Sequence, residues 1–297
     1  MRGLGLRVVS GVLLLALVLA AIWLGGLLFM GLVALATALA AHEFYSMARR
    51  AGYRPLYQAG VALAMLLALR AYLTGDISTG RASFEPGAGS EVLALILVLL
   101  LAFAQQGRGW LRLVPSVAGG QVSPSRPSGR GWADLGLTLG GAIYTGGLLG
   151  YAPLLIAIRE STSIAPGWAW LLLVVFGTAA CDIGAYFVGS LLGRHKMIPH
   201  ISPGKTWEGL AGGAGGAVLC VVAMSGLLKL ELWQAVVLGL LVCAAAVLGD
   251  LCESLLKRAT GVKDSSNLIP GHGGILDRLD SILFVLVVVY WYVLVVS

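Results

Sequence analysis

Two groups of residues in this 297-residue chain have types and spacings suited to chemistry. The first runs from Ser254 to Asp280, SLLKRATGVKDSSNLIPGHGGILDRLD. There Lys257-Arg258, Lys263-Asp264, His272-Gly273-Gly274, Asp277-Arg278 and Asp280 crowd between two strongly apolar segments. If the preceding helix runs on past Asp250, then Asp250, Glu253, Ser254 and Lys257 share one face at spacings of three and four. Asp277 and Asp280, three apart, share a face at the start of the segment that follows. Two helix ends would then present carboxylates to one point, and pairs of acids with open coordination positions are how proteins hold magnesium on a nucleotide. Lys257, Arg258, Lys263 and Arg278 supply the opposite charge for phosphate oxygens. Pro270-Gly271-His272-Gly273-Gly274 offers a turn whose backbone amides can approach a ligand closely. His272 serves either as a proton carrier or as a hydrogen-bonding organiser of that turn. The mixture suits a metal-bound polyphosphate.

The second group lies in GRHKMIPHISPGKTWEG, residues 193 to 209, where Ser202, Lys205, Thr206 and Glu208 are candidates for substrate contact. Gly204-Lys205-Thr206 imitates the end of a nucleotide-binding P-loop, but that pattern needs Gly where this chain has Pro199. It also follows an apolar span and not a buried strand, so the P-loop assignment is rejected. Asp182, just after Cys181, joins Asp250 and Glu253 as an acid within or at the end of an apolar segment. Acids are costly in hydrocarbon and by default mark a pathway or a site.

The elements that must position these groups follow from composition. With 58% hydrophobic and 11% charged residues and a mean hydropathy of +0.91, the chain lies far from soluble usage, where about 25% is charged. Apolar segments at 8 to 24, 26 to 42, 57 to 74, 91 to 105, 134 to 157, 167 to 192, 207 to 229, 232 to 256 and 279 to 296 predict an all-α, polytopic membrane helix bundle of about nine transmembrane helices. The first segment follows Arg2 and Arg7 like a signal peptide, but its length and the span that follows at once favour a retained helix. Four cysteines, at 181, 220, 243 and 252, fall in apolar segments without paired metal spacing and read as core residues.

Sorting the connections by charge orients the bundle. The N-terminus and the loops at 43 to 56, 106 to 133, 193 to 206 and 257 to 278 hold 16 of the 20 Lys and Arg residues, which places them, with the N-terminus, in the cytoplasm. The same split supports nine spans, since omitting one would mix the two sets. The formal charge of +6 then reflects membrane topology, with attraction to anionic lipids, and requires no nucleic acid. Residues 1 to 133 form a set of N-terminal helices with mobile loops, and 134 to 297 a catalytic transmembrane domain. His42 and Glu43 read as an ordinary polar boundary at a span end, and Arg70 as a snorkelling or paired cation. Gly209 to Gly213 and Gly212 to Gly216 have the small-xxx-small spacing of close helix packing, within the monomer or across a homodimer.

Taken together, the motifs resemble the membrane-bound phosphatidate cytidylyltransferases, also called CDP-diglyceride synthases. That family's pattern is met by Ser254, Lys257-Arg258, Lys263-Asp264, Ser266, Ile269-Pro270, His272-Gly273-Gly274, Asp277-Arg278 and Asp280. The upstream run Ser202-Pro203-Gly204-Lys205-Thr206-Trp207-Glu208-Gly209 is similar to a second family segment. The resemblance covers about residues 182 to 280; the first half is alike only in being a set of spans. It implies reaction of CTP with phosphatidate in the bilayer to give CDP-diacylglycerol and pyrophosphate, at the cytoplasmic face of the cytoplasmic membrane. It also implies Mg2+ on Asp250 and Asp277, with Asp182, Glu253 and Asp280 as supporting groups or as ligands of another cation, a monovalent one included. A secondary transporter is the rival of a different class, but it predicts acids at mid-membrane and a path to the far side. A lipid kinase or CDP-alcohol phosphotransferase is the nearer rival, and the latter's Asp-Gly-x-x-Ala-Arg pattern is absent.

Overall fold

The structure, a computed structural model, describes residues 2–73, 130–158, 162–262, 265–266 and 273–296. The expected span at 91 to 105, most of the linker at 106 to 133, and the candidates Lys263 and His272 lie outside these residues. The described chain forms helices α1 (Arg2–Leu24), α2 (Gly26–Arg50), α3 (Tyr57–Leu73) and α4 (Arg130–Ala142). From α4 it passes through a π-helical turn at Ile143–Gly147 into α5 (Tyr151–Ile156), then α6 (Gly167–Leu192), α7 (Trp207–Leu228), α8 (Leu232–Ala259) and α9 (Leu276–Val296).

Six stretches among the described residues are long and apolar enough to cross a bilayer: Gly26–Arg50, Trp132–Ile156, Gly167–Leu192, Trp207–Leu228, Leu232–Ala259 and Leu276–Val296. The apolar parts of α1 and α3, Val9–Leu24 and Tyr57–Arg70, are shorter. A 17-residue helix such as α3 is about 25 Å long, somewhat less than a hydrocarbon core of about 30 Å. The expected count of nine is therefore not reached among the described residues.

The all-α expectation holds, with one short addition. The polar connection after α6 folds as an antiparallel hairpin, β1 (Lys196–Ile198) with β2 (Ser202–Thr206), pairing Lys196 with Thr206 and Ile198 with Ser202. Pro199 and Pro203 lack the amide a helix interior requires, so this stretch cannot extend either neighbouring helix. The hairpin ends where the Thr206 hydroxyl accepts a hydrogen bond from the Gly209 amide at 3.1 Å and starts α7. A capping box does the same for α8, with the Glu231 amide donating to Gln234 Oε1 at 2.8 Å.

Helices α6 and α7 meet along a glycine seam. A Cβ on Gly212 would overlap the Val188 side chain and the Gly184 carbonyl, and one on Gly216 would overlap the Ala180 carbonyl. The small-xxx-small face of α7 is thus used inside the chain, where backbones approach closely. Helix α8 packs against α7 and α9. At the α8/α9 contact a Cβ on Gly249 would strike the Asp280 carbonyl, so glycine at this position brings the first turn of α9 down beside Asp250.

The N-terminal helices are wired to the rest by polar and aromatic contacts. Tyr45 donates to the Thr138 carbonyl at 2.7 Å, and Thr138 Oγ1 accepts from the Leu56 amide at 2.9 Å. Phe44 lies 6.0 Å from Tyr144, and Tyr144 lies 6.4 Å from Phe284 of α9, centroid to centroid. Arg70 sits over the Tyr151 ring, 5.6 Å from its centre, which places it within the bundle.

Candidate active site

The end of α8, the start of α9 and the β hairpin converge, as their helical spacings and charges lead one to expect. Asp250, Glu253 and Asp280 bring carboxylate oxygens within 4.8 Å of one another. Asp250 and Glu253 are presented by one face of α8, and Asp280 comes from the turn of α9 that Gly249 admits. Glu253 is fully buried, and its Oε1 accepts no hydrogen bond from a donor among the described residues. A buried carboxylate oxygen without a donor is costly unless a cation meets it. Three clustered acids, one with such an oxygen, fit the ligand chemistry of a hard divalent cation.

Two lysines border the cluster. Lys205 of β2 reaches across to α8, with Nζ 2.9 Å from Asp250 Oδ2 and donating to the Val247 carbonyl at 3.1 Å. Ser254 donates to the other Asp250 oxygen at 3.2 Å. Lys257 Nζ lies 2.5 Å from Glu253 Oε2 and 3.0 Å from Asp277 Oδ1, bridging α8 to α9. Both cations sit at the rim, 17–19% exposed at the side chain, where a phosphate could reach them.

Asp277 is not one of the three clustered acids, but Lys257 joins it to Glu253. Its Oδ2 accepts from the Gly274 amide at 2.9 Å and the Ser265 amide at 3.1 Å, and the Ser265 hydroxyl, 3.0 Å away, shares its one proton between this oxygen and Glu43 Oε2, while Oδ1 faces Lys257. It thereby closes the turn before α9, where Gly273 holds a φ of 80° that favours glycine. Asp182, exposed on α6, is likewise outside the set of three. Arg278 is exposed on the first turn of α9.

Several residues expected to touch substrate also shape the hairpin. Glu208 accepts from the Arg194 amide at 3.2 Å and the His195 amide at 3.2 Å, and His195 Nδ1 lies 2.5 Å from Glu208 Oε1. The buried Thr206 caps α7, and Ser202 occupies a strand position opposite Ile198. Arg258 Nε donates to the Ile201 carbonyl at 3.3 Å, tying the hairpin tip to α8.

One participant was misjudged from sequence. Glu43 is not a polar boundary residue: it is 1% exposed and its carboxylate accepts hydrogen bonds from the segment that leads into α9. No local signal singles it out, because it stands just past the apolar segment at 26 to 42, where polar residues are ordinary. Its neighbour His42 is exposed and lies 2.7 Å from the Tyr57 hydroxyl, as a boundary residue would.

Comparison with known proteins identifies the family. The model of the cytidylyltransferase family matches residues 5–296. A phosphatidate cytidylyltransferase of Synechocystis is 37% identical over 293 residues, covering 97% of this chain and 95% of its own. One from Mycobacterium tuberculosis is 32% identical over 260 residues, covering 86% of this chain and 71% of its own. One from Haemophilus influenzae is 46% identical over 120 residues, 38% of this chain and 42% of its own. Since the match runs through both the N-terminal helices and the acid cluster, the chain belongs to the cytidylyltransferase family.

Proposed function

We propose that this protein transfers the cytidylyl group of CTP to phosphatidate, forming CDP-diacylglycerol and pyrophosphate, with Mg2+ held at the acid cluster. The observation that carries the proposal is the meeting of Asp250, Glu253 and Asp280 with Lys205 and Lys257 at one end of the bundle. The names of the relatives supply the lipid substrate.

The lipid phosphate is already a nucleophile, so no Ser, Cys or His needs activation. A phosphatidate oxygen attacks the α-phosphorus of CTP, a new P–O bond forms, and the bond to the bridging oxygen breaks with its electrons leaving on pyrophosphate. The barrier lies in bringing two polyanions together beside acids. At 4.8 Å two carboxylates repel by about 3 kcal/mol at an effective dielectric of about 20, so the cluster requires cations before it can accept a polyanion.

A divalent cation bound there would draw charge from the nucleotide's phosphate oxygens and from the departing pyrophosphate. Asp250, Glu253 and Asp280 would hold it. Asp277, which shares Lys257 with Glu253, would join them if Lys257 turned to a phosphate oxygen. Lys205 and Lys257 then neutralise the triphosphate, with Arg258, Lys263 and Arg278 as further cations on the same side. Ser254 orients Asp250, and Thr206 and Glu208 hold the hairpin that delivers Lys205.

The membrane arrangement proposed is nine spans in the cytoplasmic membrane with the N-terminus and this site in the cytoplasm. Its support is the distribution of Lys and Arg, and the gathering of three basic connections at one end through Arg258 with Ile201 and Glu43 with Ser265. The test is purified protein with labelled CTP, MgCl2 and phosphatidate, scored for CDP-diacylglycerol and pyrophosphate. A folded sample that forms neither product overturns the proposal.

A further inference from the structure

Glu43 belongs to α2, more than 200 residues from the segment that it contacts. Its two oxygens take four hydrogen bonds. Oε1 accepts from Ser266 Oγ at 2.6 Å and the Ile275 amide at 3.0 Å; Oε2 accepts from Ser265 Oγ at 2.9 Å and the Leu276 amide at 2.8 Å. The first amides of a helix have no partner within it and carry the positive end of its dipole. A carboxylate buried at that point is satisfied in both charge and hydrogen bonding. The fit leaves no slack: a Cβ on Gly274 would overlap Ser265 Oγ and the Glu43 carboxylate.

We propose that Glu43 is a positioning residue for cytidylyl transfer, an N-terminal cap supplied to α9 by the other half of the chain. The proposal rests on the function given above. Asp277 and Glu43 hold the same turn, and the Ser265 hydroxyl lies within hydrogen-bond distance of both, sharing its proton between them. Asp277 in turn fixes Lys257, and Lys257 faces Glu253 of the acid cluster. Glu43 is itself held, since the adjacent Phe44 and Tyr45 anchor α2 to the π-helical turn and to α4. The N-terminal helices therefore do more than span: they set the height and register of the turn that carries Asp277 and Asp280.

The test compares wild type with Glu43→Gln, Ser266→Ala and the double variant in purified, folded form. The readouts are kcat, the KM for phosphatidate, the Mg2+ concentration for half-activity, and hydrogen exchange of the peptide carrying Ile275 and Leu276. Gln keeps the shape but turns an acceptor into a donor that faces backbone N–H. Glu43→Gln is expected to lower kcat by about 10- to 100-fold, the range for residues that support a metal site from outside it, with a raised Mg2+ requirement and an unchanged phosphatidate KM. Exchange at residues 275–276 should quicken in the same variant. Ser266→Ala should lose less, and the double variant less than the product of the single losses, because both remove one shared bond. Wild-type kcat and exchange per folded molecule in Glu43→Gln, or losses that simply multiply, would overturn the proposal. Should Glu43→Gln fail to accumulate, unchanged kcat and exchange in Ser266→Ala overturn it. A wild type without cytidylyl transfer strikes the proposed function instead, and the exchange measurement still decides the contact.

Discussion

The α6/α7 and α8/α9 contacts solve the same problem in opposite ways. Along α6/α7 the glycines of both helices let backbones touch, and the seam is made of Gly184, Gly212, Gly216 and Ala180. At the end of α8/α9 one glycine, Gly249, does the same service, but around it stand Asp250, Glu253, Lys257, Asp277 and Asp280. Small residues suffice to hold membrane helices together, because close packing replaces a hydrophobic drive that lipid cannot supply. The charges at the second contact are therefore surplus to packing. Their desolvation is a cost that packing does not require, which is what the proposed function would account for.

The sharpest way to break this contrast is to neutralise the acids. Asp250→Asn or Asp277→Asn is expected to abolish cytidylyl transfer, a loss on the order of 10²-fold or more as for other electrostatic groups at reacting phosphates, while the protein still inserts and purifies. The labelled-CTP assay checks it, and near-normal turnover in the Asp250 variant would defeat the metal assignment. Next in size is Gly249→Ala, whose methyl meets the Asp280 carbonyl and pushes α9 from α8. Misplacement of about 1 Å at a reacting centre costs on the order of 10²-fold, so kcat should fall by up to that factor. If its turnover matched wild type, the distance between Asp250 and Asp280 would not matter. The smallest effect on activity belongs to Gly212→Ala in the seam. Thermal unfolding should show a destabilisation of about 1–3 kcal/mol from overpacking, with specific activity of the folded fraction unchanged. A selective loss of kcat there would erase the distinction between the two contacts.

Much of the site was legible because its parts are local. Asp250, Glu253 and Lys257 share a face by helical spacing, and Asp280 follows Asp277 by one turn. That spacing alone could not say which acids share a cluster. The pairing of Asp277 with Lys257 and Ser265, and of Asp280 with Asp250 and Glu253, depends on the rotation of α9 and on how closely Gly249 lets it approach. Glu208 shows the same limit: its place in a polar cluster made it a candidate for substrate contact, and the hairpin turns it onto the amides of Arg194 and His195. Glu43 was least legible, since no periodicity relates an acid in α2 to a turn more than 200 residues on.

Sequence by itself determined the membrane class, the largely helical architecture and a short roll of candidate acids and cations, because hydropathy and helical period are properties of short stretches. Tertiary structure decided which of those residues meet. It joined the Asp277 turn to the carboxylate cluster through Lys257, spent the glycine face of α7 inside the chain, and brought Glu43 to the head of α9. Each of these follows from the approach and rotation of whole helices, and that geometry is set by packing between segments far apart in the chain.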